Sequence, residues 1–305
     1  MFVLLRAMLL ALITMVASSA SAGTFYAAFN DLPYAPSNGV GIYPMDPGMG
    51  GTGGVLSSNP QDLTIAGDHL YWIDGNTVRT ANLDGSNAST YRTFGVSPSS
   101  IAVDPIGGHF YAAFNNLPYA PSNGVGIYPM DPGMGGTGGV LSSNPQDLTI
   151  AGGHLYWIDG DTVRTANLDG SNALTYRTFG VSPSSIAVDP TGGRFYAAFN
   201  DLPYAPSNGV GIYPMDPGMG GTGGILSSNP QDLTIAGDHL YWIDGDTVRT
   251  ANLDGSSPSV YRTFGVSPSS IAVYDPPPVP APEPLSAGLL LTGVLALGVL
   301  RTKRS

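Results

Sequence analysis

Three copies of a proline-stiffened segment hold the residues best suited to recognition. The first reads Asn30-Asp31-Leu32-Pro33-Tyr34-Ala35-Pro36-Ser37-Asn38, and the others bring Asn116 with Tyr119 and Asp201 with Tyr204. Tyrosine offers a broad ring with a polar tip, and the prolines restrict the backbone before a ligand arrives, so little entropy is lost on binding. Asp31, Tyr34, Asn116, Tyr119, Asp201 and Tyr204 are therefore the candidate ligand-binding residues, for a glycan or a protein. The alternative is that each tyrosine packs on its own loop.

Other residues invite chemistry but lack its spacing. Pro44-Met45-Asp46-Pro47-Gly48-Met49-Gly50-Gly51-Thr52-Gly53-Gly54 is glycine-rich, yet the lysine and following helix of a phosphate-binding loop are missing. It reads as a long hairpin connection. Asp46, Asp131 and Asp216 could contribute to a calcium site, but the close run of Asp ending in a bidentate Glu is absent. Calcium is the only cofactor candidate. His69, His109, His154 and His239 each occupy a separate turn. Zinc needs its nitrogens within about 2.1 Å of one ion, so no metal site is assigned to them. With no cysteine and no Gly-x-Ser-x-Gly elbow, no catalytic residue is assigned either. A metal-dependent hydrolase or lyase using central Asp residues stays open as an alternative, as does a purely structural matrix protein. Between residues 23 and 275 lie 7 Arg and 21 Asp, a formal charge of −14, which excludes nucleic acid as a partner.

What positions these residues is a repeat. Phe25-Tyr26-Ala27-Ala28-Phe29-Asn30 returns at Phe110 and at Phe195, a period of 85 residues, and the first two copies differ at only six positions. Within each copy, Asp62-Leu63-Thr64-Ile65-Ala66 followed by Leu70-Tyr71-Trp72-Ile73-Asp74 has the layout of Ser100-Ile101-Ala102-Val103-Asp104 followed by Phe110-Tyr111-Ala112-Ala113-Phe114. Short apolar or alternating runs punctuated by Gly, Pro and Asp-Gly read as strands and hairpins. Units of about 40 to 45 residues with four strands each predict propeller blades. The 42 Gly and 27 Pro are what so many turns require, and 42% hydrophobic residues supply the core.

Tyr71-Trp72-Ile73-Asp74, Leu83-Asp84-Gly85-Ser86 and Pro98-Ser99-Ser100-Ile101-Ala102-Val103-Asp104-Pro105 resemble the YWTD, or low-density lipoprotein receptor class B, repeat. The same pattern returns at Tyr156 to Asp159 and at Tyr241 to Asp244. Ile stands where the motif has Thr, and alternate units carry Phe-Tyr-Ala-Ala-Phe instead, so the resemblance implies architecture more than a binding role. The expected fold is all-β: a six-bladed β-propeller of four-stranded blades, made of three 85-residue double-blade repeats. The inner-strand pattern recurs at Leu63, Ile101, Leu148, Ile186, Leu233 and Ile271, and the first unit lacks its own inner strand. The last strand should therefore pair with the Phe25 strand and close the ring. Trp72, Trp157 and Trp242 are expected between blades, and Asp74, Asp159 and Asp244 in turns.

The two ends carry addresses. Residues 1–22 combine Arg6, an apolar run and Ala20-Ser21-Ala22, with Ala20 and Ala22 as the small-residue cleavage signal of a secretory signal peptide. An N-terminal anchor is the alternative, but the apolar run is too short to span. At the other end, residues 276–284 form a proline-rich linker containing Pro282-Glu283-Pro284. Residues 285–305 then give sixteen uncharged residues, Leu285 to Leu300, and a basic end with Arg301, Lys303 and Arg304. As a helix that stretch is about 24 Å long, a marginal transmembrane span whose basic end would stay cytoplasmic. Glu283 and Lys303 are the only Glu and Lys in the chain, which sets the tail apart.

The order of Pro-Glu-Pro, apolar helix and basic end resembles the PEP-CTERM sorting signal of Gram-negative bacteria that make exopolysaccharide. The resemblance implies processing near Pro282-Glu283-Pro284 by an exosortase-type protease after a transient tether in the inner membrane, leaving residues 23–275 at the cell surface or in the extracellular matrix. A plain single-span anchor on a proline-rich stalk is the alternative.

Overall fold

The computed structural model describes residues 24–30, 40–46, 54–104, 107–115, 125–131, 139–189, 193–200, 210–215 and 224–274. The chain divides into one unit spanning Gly23–Asp275 and another made of Met1–Ala22 with Pro276–Ser305; the described residues all belong to the first. Ala20, Ala22, Pro282, Glu283, Pro284, Arg301, Lys303 and Arg304, and with them the cleavage and sorting segments, lie outside the described residues.

No helix occurs among the described residues, which form 24 strands. The first copy contributes β1 (Thr24–Phe29), β2 (Gly41–Pro44), β3 (Val55–Leu56), β4 (Pro60–Ala66), β5 (His69–Asp74), β6 (Thr77–Asn82), β7 (Ser89–Thr93) and β8 (Ser100–Val103). The second contributes β9 (Phe110–Phe114), β10 (Gly126–Pro129), β11 (Val140–Leu141), β12 (Pro145–Ala151), β13 (His154–Asp159), β14 (Thr162–Asn167), β15 (Leu174–Thr178) and β16 (Ser185–Val188). The third contributes β17 (Phe195–Phe199), β18 (Gly211–Pro214), β19 (Ile225–Leu226), β20 (Pro230–Ala236), β21 (His239–Asp244), β22 (Thr247–Asn252), β23 (Ser259–Thr263) and β24 (Ser270–Tyr274). They assemble into six antiparallel sheets of four. Five of these follow the chain, from β4–β7 to β20–β23. The sixth has the order β24-β1-β2-β3, with Phe25 opposite Val273 and Tyr26 opposite Ala272.

Alternation along the second strand of each sheet explains why the sheets stack face to face. In β5, Leu70 and Trp72 turn one way into a core shared with Tyr26, Ala28 and Ile42. Tyr71 and Ile73 turn the other way, against Phe110, Phe114 and Tyr128. A strand with apolar residues on both faces is stable only between two apolar neighbours, which is what the period of two in this sequence demands. Each sheet shares one apolar cluster with the next, and a further cluster sets the β20–β23 sheet against the sheet that holds both β1 and β24.

Polar clamps reinforce the stacking. Arg92 reaches from β7 to donate Nη1 to the carbonyls of Met130 and Asp131, each at 2.9 Å, and Arg262 does the same to Met45 and Asp46. Asp74 ties the connection that enters β4, accepting from the hydroxyls of Ser57 at 2.8 Å and Ser58 at 2.5 Å and from the Asn59 amide at 3.2 Å. Burial pushes its carboxyl up, but these donors outweigh it and hold it below the usual carboxylate range.

Candidate functional site

Six strands, β4, β8, β12, β16, β20 and β24, stand side by side in that order, with β24 next to β4. Alternate members carry a bulge: between Gln61 and Thr64 the register of β4 against β5 slips, and β12 and β20 slip at the equivalent place. The residue in the bulge is Asp62, Asp147 or Asp232, with φ of 48°, 47° and 45°. Aspartate tolerates this left-handed backbone better than most side chains, and a bulge re-aims the residue it contains.

Each re-aimed carboxyl caps the next strand. Asp62 Oδ2 accepts from the Ile101 amide, Asp147 Oδ2 from the Ile186 amide and Asp232 Oδ2 from the Ile271 amide. Ser100, Ser185 and Ser270 add a hydroxyl donor to the same carboxyls. The serine oxygens in turn accept the amides of Leu148, Leu233 and Leu63, each at 2.8 Å. Followed from β4, these bonds pass through β8, β12, β16, β20 and β24 and arrive at β4 again. A second set runs alongside: Ser99, Ser184 and Ser269 donate their hydroxyls to the carbonyls of Pro145, Pro230 and Pro60 at 2.7, 2.7 and 2.6 Å.

The three aspartates divide two cavities. One, of about 450 Å³, is walled by Gln61, Asp62, Ser99, Ser100 and their counterparts in the other two copies. The other, of about 80 Å³, continues beyond the carboxyls between Thr64, Thr149 and Thr234. Among the described residues, no basic side chain lines either cavity. Each Asp is half-buried as a residue, with its carboxyl sunk among the inner strands. Burial, joined by the charge of the neighbouring carboxyls, pushes Asp62 up to about 8 and Asp147 up to about 7. Burial alone raises Asp232 to about 6, against the hydrogen bonds from Ser270 and Ile271. Since the three stand in near-identical surroundings, they titrate as a set, each proton lost making the next loss harder.

Ser100, Ser185 and Ser270, which line the larger cavity, pair with Ala113, Ala198 and Ala28. These alanines precede Phe114, Phe199 and Phe29, where the proline-tyrosine loops leave the sheets, and Phe29 stands opposite Gly41, where the first loop returns. The stems of all three loops thus stand at the end of the molecule that carries the cavity mouth. Asp31, Tyr34, Asn116, Tyr119, Asp201 and Tyr204 themselves lie outside the described residues.

Other sequence candidates are dispersed. Asp46 Oδ1 accepts the Phe25 amide at 2.7 Å and the Tyr261 hydroxyl at 3.3 Å, and Asp131 Oδ1 accepts the Phe110 amide at 2.7 Å, so both carboxyls tether strand starts. Asp216 lies outside the described residues. His69, His109 and His239 lie beside Asp68, Asp131 and Asp238, and His154 beside the Gly152 carbonyl, each at or just before the start of a separate strand. Among the described residues, no three acids or histidines come together as ligands for one ion.

The aspartate ring escaped the sequence reading as a site. Its signal was present in the recurrence of Pro-Gln-Asp-Leu-Thr-Ile and Ser-Ser-Ile at the head of the inner strands, where polar pairs interrupt otherwise apolar strands.

No family model matches the chain. Among solved structures, a chain of the crystal structure of a nidogen/laminin complex is similar to it, with a TM-score of 0.62 and 16% sequence identity, over 83% of this chain and 98% of that one. At that identity the likeness carries the fold alone: the repeated four-stranded sheets form a propeller-like assembly.

Proposed function

We propose that this chain is an exported, non-catalytic binding module: a six-bladed propeller closed by the pairing of β24 with β1, delivered to the cell surface or extracellular matrix through a signal peptide and a PEP-CTERM-like tail. The observation that carries the reading is the convergence, at one end of the molecule, of a polar cavity and the stems of three loops that each hold a tyrosine. Concave polar sites flanked by preorganised aromatic loops suit recognition. The three carboxyls gathered there are engaged in capping neighbouring strands, which favours binding over hydrolysis. The similar solved chain comes from a complex, which supports binding as the role.

One preparation tests this reading. Protein recovered from the medium or cell surface is sized by mass spectrometry and applied to an array of glycans and proteins beside a Tyr34→Ala/Tyr119→Ala/Tyr204→Ala variant. The expected result is a mature chain that starts at Gly23 and lacks Arg301 to Ser305, with specific binding weakened at least about tenfold by the three substitutions. A retained basic end would sink the sorting reading. Specific binding untouched by the substitutions would sink the role of the tyrosines.

A further inference from the structure

Within the larger cavity, most polar groups already have partners. One carboxyl oxygen of each Asp takes an isoleucine amide, the Ser100-type oxygens take leucine amides, and the Ser99-type hydroxyls give to proline carbonyls. The amides of Gln61, Gln146 and Gln231 make no such bond among the described residues and are exposed at the mouth. Three donor-acceptor amides therefore ring a cavity whose floor is three carboxyls.

The lining selects a chemistry. Among the described residues, Gln, Asp and Ser alone form the walls, so an apolar ligand would lose its hydration without gaining contact. With no cation among the described lining residues and 21 Asp in the chain, phosphate, sulfate or uronate would meet repulsion. A hydroxyl both donates and accepts, as an amide and a protonated carboxyl also do, so a polyhydroxylated neutral molecule can satisfy every free group. About 450 Å³ falls within the range of small-ligand sites, roughly 300–1,000 Å³.

We propose that this cavity is a carbohydrate site for a neutral sugar residue, held by Gln61, Gln146 and Gln231 above Asp62, Asp147 and Asp232. The proposal rests on the binding-module reading and names its ligand. Among the described residues lining both cavities, contributed by or next to β4, β8, β12, β16, β20 and β24, these three Asp are the only titratable groups. Protonated carboxyls add donors, so sugar binding is expected to be tighter at about pH 5 than at about pH 8. An ammonium ligand would show the reverse.

The test is ligand-observed NMR on the exported protein with methyl glycosides of glucose, galactose, mannose and N-acetylglucosamine, against methylammonium and glucuronate. At least one glycoside is expected to bind with a Kd on the order of 1 mM, at least about tenfold more weakly in a Gln61→Ala/Gln146→Ala/Gln231→Ala variant. The unfolding temperature of that variant should match the parent, because the replaced side chains are exposed. The proposal is overturned if no glycoside binds, if the variant binds undiminished, or if methylammonium is preferred and tightens as pH rises. Should array binding survive the glutamine substitutions yet be lost with the tyrosines, the binding module stands and the sugar site falls.

Discussion

Trp157→Ala is expected to lower the unfolding free energy by about 3–5 kcal/mol, the usual cost of emptying a large buried aromatic site. The indole is fully buried in the cluster between the β8–β11 and β12–β15 sheets, among Tyr111, Ile127, Val140 and Leu155. Its Nε1 donates to Ser142 Oγ at 3.0 Å, and the Arg164 guanidinium lies 5.8 Å from the ring centroid on its way to Asp159. Alanine removes the apolar contact and leaves the serine without its donor and the guanidinium without its ring, so the penalties add. His154→Ala, exposed at the start of β13 in the same sheet, is the control and should change stability by less than about 0.5 kcal/mol. Urea unfolding followed by circular dichroism would measure both. A loss under about 1 kcal/mol for Trp157→Ala would mean that the ring is not seated between two sheets.

The second large effect concerns pH. Asp62, Asp147 and Asp232 have folded-state values raised to about 8, 7 and 6, so the folded state keeps protons that the unfolded chain releases near the ordinary carboxylate value. Stability from these groups is complete below that ordinary value and is lost as pH rises through the raised ones. Asp74, Asp159 and Asp244 act oppositely: hydrogen bonds from serines and amides hold them low, so their contribution disappears in acid. Calorimetry should therefore show the unfolding temperature highest in mildly acidic buffer and falling from about pH 5 to about pH 8. An Asp62→Asn/Asp147→Asn/Asp232→Asn variant keeps an acceptor for the isoleucine amides and tolerates the positive φ. It should flatten that slope and exceed the parent at the alkaline end. A parent with no slope, or a variant as steep as the parent, would remove the titrating ring from the account.

The strands were legible because their sequence periodicity is unambiguous. Leu70-Tyr71-Trp72-Ile73 can only feed two opposite cores, and the fragmentary first and last units pointed to a shared sheet for β1 and β24. Asp74 could be read as a turn residue because it closes a local connection. The aspartate ring could not be read the same way. Asp62 looks like the residue before a strand until a bulge and a left-handed backbone turn it toward Ile101, and its two partners lie 85 and 170 residues further on, at Asp147 and Asp232. Histidines at a regular spacing gave the opposite lesson, since repetition along the chain places them at the starts of separate strands. Tyr34, Tyr119 and Tyr204 were singled out from composition, and only the stems of their loops belong to the described residues.

Everything placed at the cavity mouth depends on the chain returning to its start through β24 and β1. Thr24 and Tyr274 are register partners there, and the chain contains no cysteine, so Thr24→Cys with Tyr274→Cys would introduce the only two thiols. Mild oxidation is expected to join them within one molecule, leaving a monomer with no titratable thiol. Closing so long a loop should stabilise the fold by several kcal/mol, about 5–6 on the chain-entropy account. Two thiols that stay free, or that join only between molecules, would contradict the pairing of β24 with β1 and with it the proposed site.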